Sequence, residues 1–152
     1  MKRFGLLLCG LFLVCSCTAT KRGSAQPELP LQLVYLESDG ISIPILVEVA
    51  NTSEQMARGL MFRRSLSRER GMLFLFPIEN QLHFWMKNTL IPLDILFFNA
   101  DRELVSSATM LPCEEDPCVS YSSEMPSTYA LEVNAGFLLQ HSIGKGWKIE
   151  LQ

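Results

Sequence analysis

Residues 93–111, LDILFFNADRELVSSATML, contain two apolar runs around a short polar turn. The first run is Leu93–Phe98, the second is Leu104–Leu111, and Asn99-Ala100-Asp101 lies between them. Strand-forming residues on both sides of such a turn predict a β-hairpin. Asp94 is the one charged residue of the first run, and a charge is costly to bury unless it is paired. We therefore expect β-structure in this part of the chain, with one carboxylate that needs a partner.

Similar short runs, separated by turn residues, extend in both directions from this hairpin. Ser38-Asp39-Gly40 predicts a second hairpin. Pro44 lies within the strand that follows this turn, and it indicates that this strand lies at an edge or carries a bulge. Thr52, with Gln55 three residues later, predicts the start of a short helix. The other predicted elements are strands at Leu31–Leu36, Ile41–Ala50, Met72–Phe76, His83–Met86, Tyr129–Asn134 and Trp147–Leu151, and a short helix near Phe137–His141. About eight short strands with one or two helices predict a single mainly β domain, a sandwich or barrel-like fold, over residues 31–152.

The N-terminus has the pattern of an export signal. Two basic residues precede Phe4–Val14, an apolar run of 11 residues. A membrane-spanning helix needs about 20 residues, so this run is too short to cross a bilayer and fits a signal peptide over residues 1–16. Val14-Cys15-Ser16-Cys17 resembles a bacterial lipobox, which predicts that Cys17 becomes the lipidated first residue of the mature protein. The alternative is an ordinary secreted protein that is cleaved near Cys17 or later, around Ala19 or Ala25.

Residues 17–30 are predicted to be the lipidated cysteine and a flexible tether. Thr18–Pro30 is rich in Thr, Ser, Gly, Gln and Pro, and a flexible segment of this length reaches roughly 20 Å. The lipid anchor would make the membrane a partner and hold the domain at the bacterial cell envelope, facing the periplasm. Thr18 stands where inner-membrane lipoproteins commonly have aspartate, which favours the outer membrane. Removal of residues 1–16 leaves 11 basic and 16 acidic residues, a net charge of −5, so we expect no nucleic-acid partner.

The mature chain has two further cysteines, Cys113 and Cys118, with four residues between them. An even pair of cysteines in an exported protein predicts a disulfide. Closing so small a ring stabilises the fold by about 2 kcal/mol on the chain-entropy account. A metal pair and a redox switch are the alternatives, but the spacing is not C-x-x-C and the nearest histidine in the sequence is His141. The sequence predicts no metal and no cofactor.

Several blocks of the chain resemble one protein family. They are Arg58–Arg63 (RGLMFR), Gly71–Phe74 (GMLF), Phe84–Asp94 (FWMKNTLIPLD), Pro112–Tyr121 with its two cysteines, and Leu131–Gly136 (LEVNAG). In this order they resemble the domain of unknown function 192 family, an uncharacterised family of bacteria and archaea. The resemblance extends from about Leu33 to the C-terminus. It implies a compact antiparallel β-sandwich of jelly-roll type with short helices, and it implies no established activity.

Strand alternation suggests where a binding site could lie. If the strand His83–Met86 continues to Lys87, Phe84 and Met86 share one face, while Trp85 and Lys87 share the other. Glu132 likewise lies opposite the apolar residues of its own strand. Because a planar guanidinium suits a carboxylate, an arginine on the first helix is a candidate partner for a buried acid. The hypothesis is a polar, partly aromatic pocket lined by Arg58, Trp85, Lys87, Asn88, Asp94 and Glu132.

Structural roles are the alternative for the same residues. Arg58 with Asp94, and Lys87 with Glu132, could form structural ion pairs, while Asn88 could cap a turn and Trp85 could lie in the core. The six methionines of the mature chain offer thioethers, which suit Cu(I). Their positions on apolar faces favour ordinary core packing instead.

The leading functional hypothesis is a non-catalytic envelope lipoprotein module that binds a small or polymeric ligand at this aromatic and charged region. An enzyme is less expected, because H-E-x-x-H, G-x-S-x-G and phosphate-binding glycine loops are missing from the sequence. One alternative is a hydrolase of an envelope polymer that uses Asp94 and Glu132, whose carboxylates would then lie roughly 5–10 Å apart. Another is a structural or assembly lipoprotein that acts through an exposed apolar patch.

Overall fold

The computed structural model describes residues 23–152, which form nine strands and two short helices. The signal peptide, Cys17 and the first residues of the tether lie outside the described residues. Residues 23–30 are without helix or strand. Within residues 23–152, neither helix has the length and apolar character needed to cross a membrane.

Short strands make up most of the chain, and two short helices lie among them, as the hydrophobic pattern predicts. In chain order they are β1 (Leu31–Ser38), β2 (Ile41–Ala50), α1 (Ser53–Arg58), β3 (Arg70–Asn80), β4 (His83–Trp85), β5 (Leu93–Phe98), β6 (Leu104–Met110), β7 (Ser120–Ser122), β8 (Ser127–Asn134), α2 (Phe137–Gln140) and β9 (Lys148–Leu151). The mainly β fold with two short helices is therefore confirmed. The sequence does not predict β7, because this strand is short and polar and follows the cysteine loop.

The strands form one large sheet and one small sheet. The large sheet has seven strands in the order β6-β5-β8-β3-β2-β1-β9, and β4 pairs with β7 in the small sheet. Six of the seven pairings among the described strands are antiparallel, and the exception is β2 with β3. A parallel pair needs a crossover connection, and the segment that contains α1 provides it. The sheet is therefore mixed, whereas the sequence led us to expect antiparallel strands throughout.

The large sheet has an apolar core on each face, which makes the domain sandwich-like. On one face, Leu73, Leu96 and Leu131 pack with residues of β1, β9 and α2. The sheet curls around this first core so that Glu103, before β6, bridges to Lys148 of β9. On the other face, Met72, Phe97 and other side chains pack beneath the turn after α1 and beneath the small sheet. This second core positions the candidate site.

Pro44 lies in a part of β2 that has a partner strand on one side only. β1 pairs with β2 along its length, but β3 joins it only from Leu46 onward. Proline has no backbone N–H to donate to a neighbouring strand, so it suits this half-edge position. The prediction that this strand lies at an edge or carries a bulge is wrong, because β2 lies between β1 and β3 in regular register.

Candidate functional site

A cavity of about 240 Å³ opens between α1 and the small sheet, above the second core. We call it the α1–β4 pocket. Its lining comes from α1 and the turn after it, from β3, β4 and β8, and from Thr89; the residues are Met56, Ala57, Arg58, Gly59, Leu60, Met61, Phe74, Phe76, His83, Phe84, Trp85, Thr89 and Glu132. Three of the six predicted site residues, Arg58, Trp85 and Glu132, are therefore brought to one cavity.

Helix α1 forms one wall of the pocket. It begins with a capping box in which the Thr52 hydroxyl accepts from the Gln55 N–H and the Gln55 side chain accepts from the Thr52 N–H, as the sequence predicts. It ends at Gly59, whose φ of 47° and ψ of −135° favour glycine. A Cβ at Gly59 would lie 3.4 Å from the Phe74 ring. This is an ordinary contact distance, so the backbone conformation, and not the space above Phe74, favours glycine here.

Aromatic side chains form the floor and the opposite wall. The Phe84 ring lies edge-on to Phe74, Phe76 and Phe97, with centroid distances of 5.0, 6.2 and 5.7 Å. Such edge-on contacts add stabilisation beyond burial alone. Trp85 is 54% exposed at the mouth, and Nζ of Lys87 lies 5.8 Å from the centroid of its ring. The alternation predicted for this strand is confirmed, because Met86 is buried and Trp85 is exposed.

Glu132 is the one carboxyl group that lines the pocket. It pairs with Met72 of β3 and Ile95 of β5, and it is 95% buried. Within residues 23–152 its carboxyl group makes no hydrogen bond and no ion pair. Burial raises the pKa of Glu132 to about 8, because an apolar environment disfavours the charged form. At neutral pH the group is mostly a neutral carboxylic acid that faces a cavity.

Glu48 is a second buried carboxylate, and its hydrogen bonds give it a structural role. Glu48 and Glu132 lie on the same face of the large sheet, one on each side of Met72. Both oxygens of Glu48 accept from the guanidinium of Arg63, at 2.5 and 2.7 Å, and one also accepts from the Leu29 N–H at 2.8 Å. Buried carboxylates ordinarily have such partners. Glu132, two strands away, has none among the described residues.

Asp94 belongs to a different part of the molecule. It pairs with Val133, whereas Glu132 pairs with Ile95, so the side chains of Asp94 and Glu132 point to opposite faces of the sheet. The Asp94 carboxylate accepts from the Thr109 hydroxyl at 2.6 Å and from the Leu138 N–H at 2.9 Å. Asp94 is therefore a satisfied buried group near α2, and the structure does not bring the two proposed catalytic carboxylates together.

Lys87 and Asn88 lie beside the pocket and are not part of its lining. Lys87 forms an ion pair with Asp116, with Nζ–O distances of 2.9 and 3.1 Å. Asn88 has a φ of 58°, a left-handed conformation that asparagine tolerates, and its carbonyl accepts from the Phe62 N–H at 2.8 Å. Within the described part of the chain, neither Arg58 with Asp94 nor Lys87 with Glu132 forms an ion pair.

Arg58 lines the same pocket as Glu132 but makes its contacts with other residues. Its guanidinium donates to the Ser24 carbonyl and lies 5.2 Å from the centroid of the Phe62 ring. Both contacts hold the positive charge at the rim of the pocket. This agrees with the raised pKa of Glu132, whose cause is burial without an opposing effect of a nearby cation.

Cys113 and Cys118 form a disulfide, as the sequence predicts. These two sulfurs and the carboxylate of Asp116 lie within 4.8 Å of one another and are the one group of three potential metal ligands in the described residues. A thiolate, not a disulfide, is the sulfur ligand of metals, so the bonded state favours a structural role. Because Lys87 pairs with Asp116, the disulfide loop is also linked to the segment that carries Trp85.

Sequence reasoning missed much of the lining, namely Met56, Phe74, Phe76 and Thr89. These are residues that the hydrophobic pattern alone assigns to the core or to a turn. Phe84 was predicted to be in the core and is half-buried, so it packs on the second core and also faces the cavity. A second pocket, of about 780 Å³ and no more open to solvent than the first, lies elsewhere, near Pro44 and His141. It is larger, but none of the six predicted residues lines it, and its polar side chains are not deeply buried.

The α1–β4 pocket is better suited to binding than to acid–base chemistry on a substrate. It contains one carboxyl group, and hydrolysis of the glycosidase type needs two. The other titratable side chain of the wall, His83, hydrogen-bonds the Ser122 hydroxyl through Nδ1 at 2.7 Å. The pocket thus combines aromatic faces, a single buried acid and a rim arginine.

Comparison with known proteins identifies the family to which this chain belongs. The family model of domain of unknown function 192, described as "Uncharacterized ACR", matches residues 34–151. The chain therefore belongs to this family, as the sequence blocks indicated. No protein with a curated description matches it.

Two solved structures are similar to the chain. One is a protein from Sinorhizobium meliloti 1021, provisionally described as a transcription regulator, with 31% identity, a TM-score of 0.77, and coverage of 83% of this chain and 97% of that chain. The other is a protein of unknown function from Novosphingobium aromaticivorans DSM 12444, with 35% identity, a TM-score of 0.75, and coverage of 80% of this chain and 86% of that chain.

Proposed function

We propose that this protein is a non-catalytic envelope lipoprotein whose domain binds a small ligand in the α1–β4 pocket. The observation that carries the proposal is Glu132, a buried carboxyl group that faces a cavity without a partner in residues 23–152. Neither oxygen of Glu132 is among the wholly buried polar atoms that lack a partner in residues 23–152, so the carboxyl group borders the space of the cavity. A ligand in the cavity could therefore hydrogen-bond this group in place of water.

The rest of the lining supports binding. Trp85 offers a half-exposed indole at the mouth, and the Phe76 and Phe84 rings provide apolar surface inside. Aromatic side chains with few polar groups are typical of small-molecule sites. The hydrolase alternative loses its basis, because the side chains of Asp94 and Glu132 lie on opposite faces of the sheet.

The envelope location follows from the export signal and is part of the proposal. Cys17 would carry the lipid, and residues 18–30 would hold the domain near a membrane surface facing the periplasm. The Cys113–Cys118 disulfide supports this location, because disulfides persist in oxidising compartments. The regulatory description of the Sinorhizobium meliloti relative does not extend to this chain in our proposal, since the mature chain is acidic and DNA is an anion.

The proposal is tested by ligand-observed NMR with a fragment panel of amines, carboxylates, sugars and alcohols. The protein is the mature chain with Cys17→Ser, so that no detergent is needed. Trp85→Ala should weaken binding of the fragments that bind by about tenfold, as truncation of a central tryptophan commonly does. Ile78→Ala is the matched control, because Ile78 is an exposed apolar residue that does not line the pocket. Equal binding by wild type and Trp85→Ala would show that the pocket is not the site.

A further inference from the structure

We propose that the ligand of the α1–β4 pocket is a compact organic cation, an alkylammonium or quaternary ammonium group that places its positive charge between Glu132 and the aromatic rings. This inference rests on the proposed binding function and specifies the chemistry of the ligand.

The first step is that no positively charged side chain of the described residues forms an ion pair with Glu132. Arg58 of α1 lies at the rim, held by the Ser24 carbonyl and the Phe62 ring. Arg63 is bound through both its terminal nitrogens to Glu48, and Lys87 is bound to Asp116. Arg70, on the same face of β3 as Met72, is paired with Glu28. A carboxylate in this position is stable only if a cation accompanies it. The fold leaves that cation to be supplied from outside.

The second step is that the remaining lining attracts positive charge. Phe74, Phe76, Phe84 and Trp85 all line the cavity, and the face of an aromatic ring carries negative potential that attracts cations. The thioethers of Met56 and Met61 complete the inner surface. These side chains are weak acceptors or apolar, so the inner surface offers an anion nothing to bind; the donor side chains of the lining are Arg58, His83 and Thr89, and Arg58 already donates to the Ser24 carbonyl. An aromatic enclosure with one carboxyl group is the arrangement by which proteins recognise ammonium groups.

The third step concerns the volume of the pocket and the position of Arg58 at its mouth. The cavity, about 240 Å³, fits a group of a few heavy atoms. Arg58 at the mouth would repel a second positive charge, so the ligand carries its cation at the inner end. An ammonium group there would exchange water for the carboxylate and the aromatic side chains, and burial strengthens both attractions.

Binding of such a cation must be coupled to the ionisation of Glu132. With a pKa of about 8, about a tenth of the protein carries the carboxylate at pH 7 and about nine-tenths at pH 9. If only the ionised form binds, the apparent Kd falls about tenfold over this range. The other charged groups that face the pocket are Arg58 on α1 and His83 on β4, while Glu48 on β2 is neutralised by Arg63.

The experiment compares choline with 3,3-dimethylbutan-1-ol, its neutral isostere, by calorimetry on the mature Cys17→Ser chain. At pH 9 and constant ionic strength, choline should bind about tenfold more tightly than the isostere, since a desolvated charge contributes more than 1 kcal/mol. The choline Kd should rise about tenfold from pH 9 to pH 7, whereas the isostere should show no such change. Glu132→Gln should abolish both the preference for choline and its pH dependence, and Glu124→Gln, at an exposed acid that does not line the pocket, should keep both.

The outcomes separate this inference from the proposed function. If the isostere binds as tightly as choline, or if choline affinity does not depend on Glu132 or on pH, the cation proposal is wrong. Fragment binding that depends on Trp85 would still stand in that case. If choline does not bind, the cation proposal is also wrong. The wild-type pH dependence tests the idea even if Glu132→Gln folds poorly.

A further arm distinguishes a soluble amine from a lipid headgroup. Vesicles of phosphatidylcholine present the same quaternary ammonium group as choline. Sedimentation of the Cys17→Ser chain with these vesicles, relieved by free choline, would assign the site to headgroups. Choline binding without vesicle binding would assign it to free amines.

Discussion

Replacement of Glu132 by glutamine should stabilise the protein, and the gain should grow as the pH rises. In the folded chain burial raises the pKa of Glu132 from the ordinary 4.5 to about 8. The folded state therefore holds a proton that the unfolded state releases between these values. Stability that depends on this proton is complete below pH 4.5 and is lost as the pH rises through about 8.

The magnitude follows from the width of this pH window. Each pH unit within it costs about 1.4 kcal/mol. Relative to pH 4, the carboxyl group lowers the free energy of unfolding of the wild type by about 3 kcal/mol at pH 7 and about 5 kcal/mol at pH 9. Glutamine has nearly the same shape and does not titrate, so it lacks this loss. Any constant difference between the two side chains cancels when pH values are compared.

Urea denaturation at pH 4, 7 and 9, followed by the fluorescence of the buried Trp147, measures the effect. The difference in free energy of unfolding between Glu132→Gln and wild type should increase by about 3 kcal/mol from pH 4 to pH 7. Glu124→Gln is the control, because Glu124 is exposed and its replacement should shift all three values little. A difference for Glu132→Gln that is the same at every pH would falsify the description of Glu132 as a desolvated acid.

Two further predictions concern the stability of the domain, one at the contact between β3 and β8 and one at the disulfide. Gly71→Ala should lower the free energy of unfolding by about 2–3 kcal/mol, because a Cβ there would lie 2.7 Å from the carbonyl oxygen of Glu132 on the neighbouring strand. Gly144→Ala meets nothing within 4 Å and should change stability little in the same urea titrations; equal effects would show that β3 and β8 do not approach this closely. Changing both Cys113 and Cys118 to serine should cost about 2 kcal/mol through the loss of loop constraint. Mass spectrometry of the unreduced wild type should show the loss of two protons, and a mass with both thiols free would contradict the disulfide.

Local sequence signals specified most of the elements. Thr52 and Gln55 form the predicted capping box, and turn residues mark the hairpins at Asp39-Gly40 and Asn99-Ala100. Alternation placed Trp85 outside and Met86 inside. These features depend on neighbours within a few residues, so a periodic pattern is enough to reveal them.

Such local signals did not predict which strands pair with each other or in which direction. β2 and β3 follow each other in the large sheet but run parallel, because the chain crosses over through α1. The hydrophobic pattern of a strand does not state the direction of its neighbour. The sequence therefore predicts the strands well and the mixed character of the sheet poorly.

What the sequence by itself determined is the set of strands, the family, the cysteine pair, and the residue types from which a site could be built. Only the tertiary structure decided which of them meet. The register of β5 against β8 sends Asp94 to one face and Glu132 to the other, and a shift of one residue would reverse such an assignment. Residues 58, 85 and 132 converge because α1 and β4 pack on the same face of one sheet. The physical reason is that a binding pocket depends on contacts between distant segments, which a local pattern does not encode.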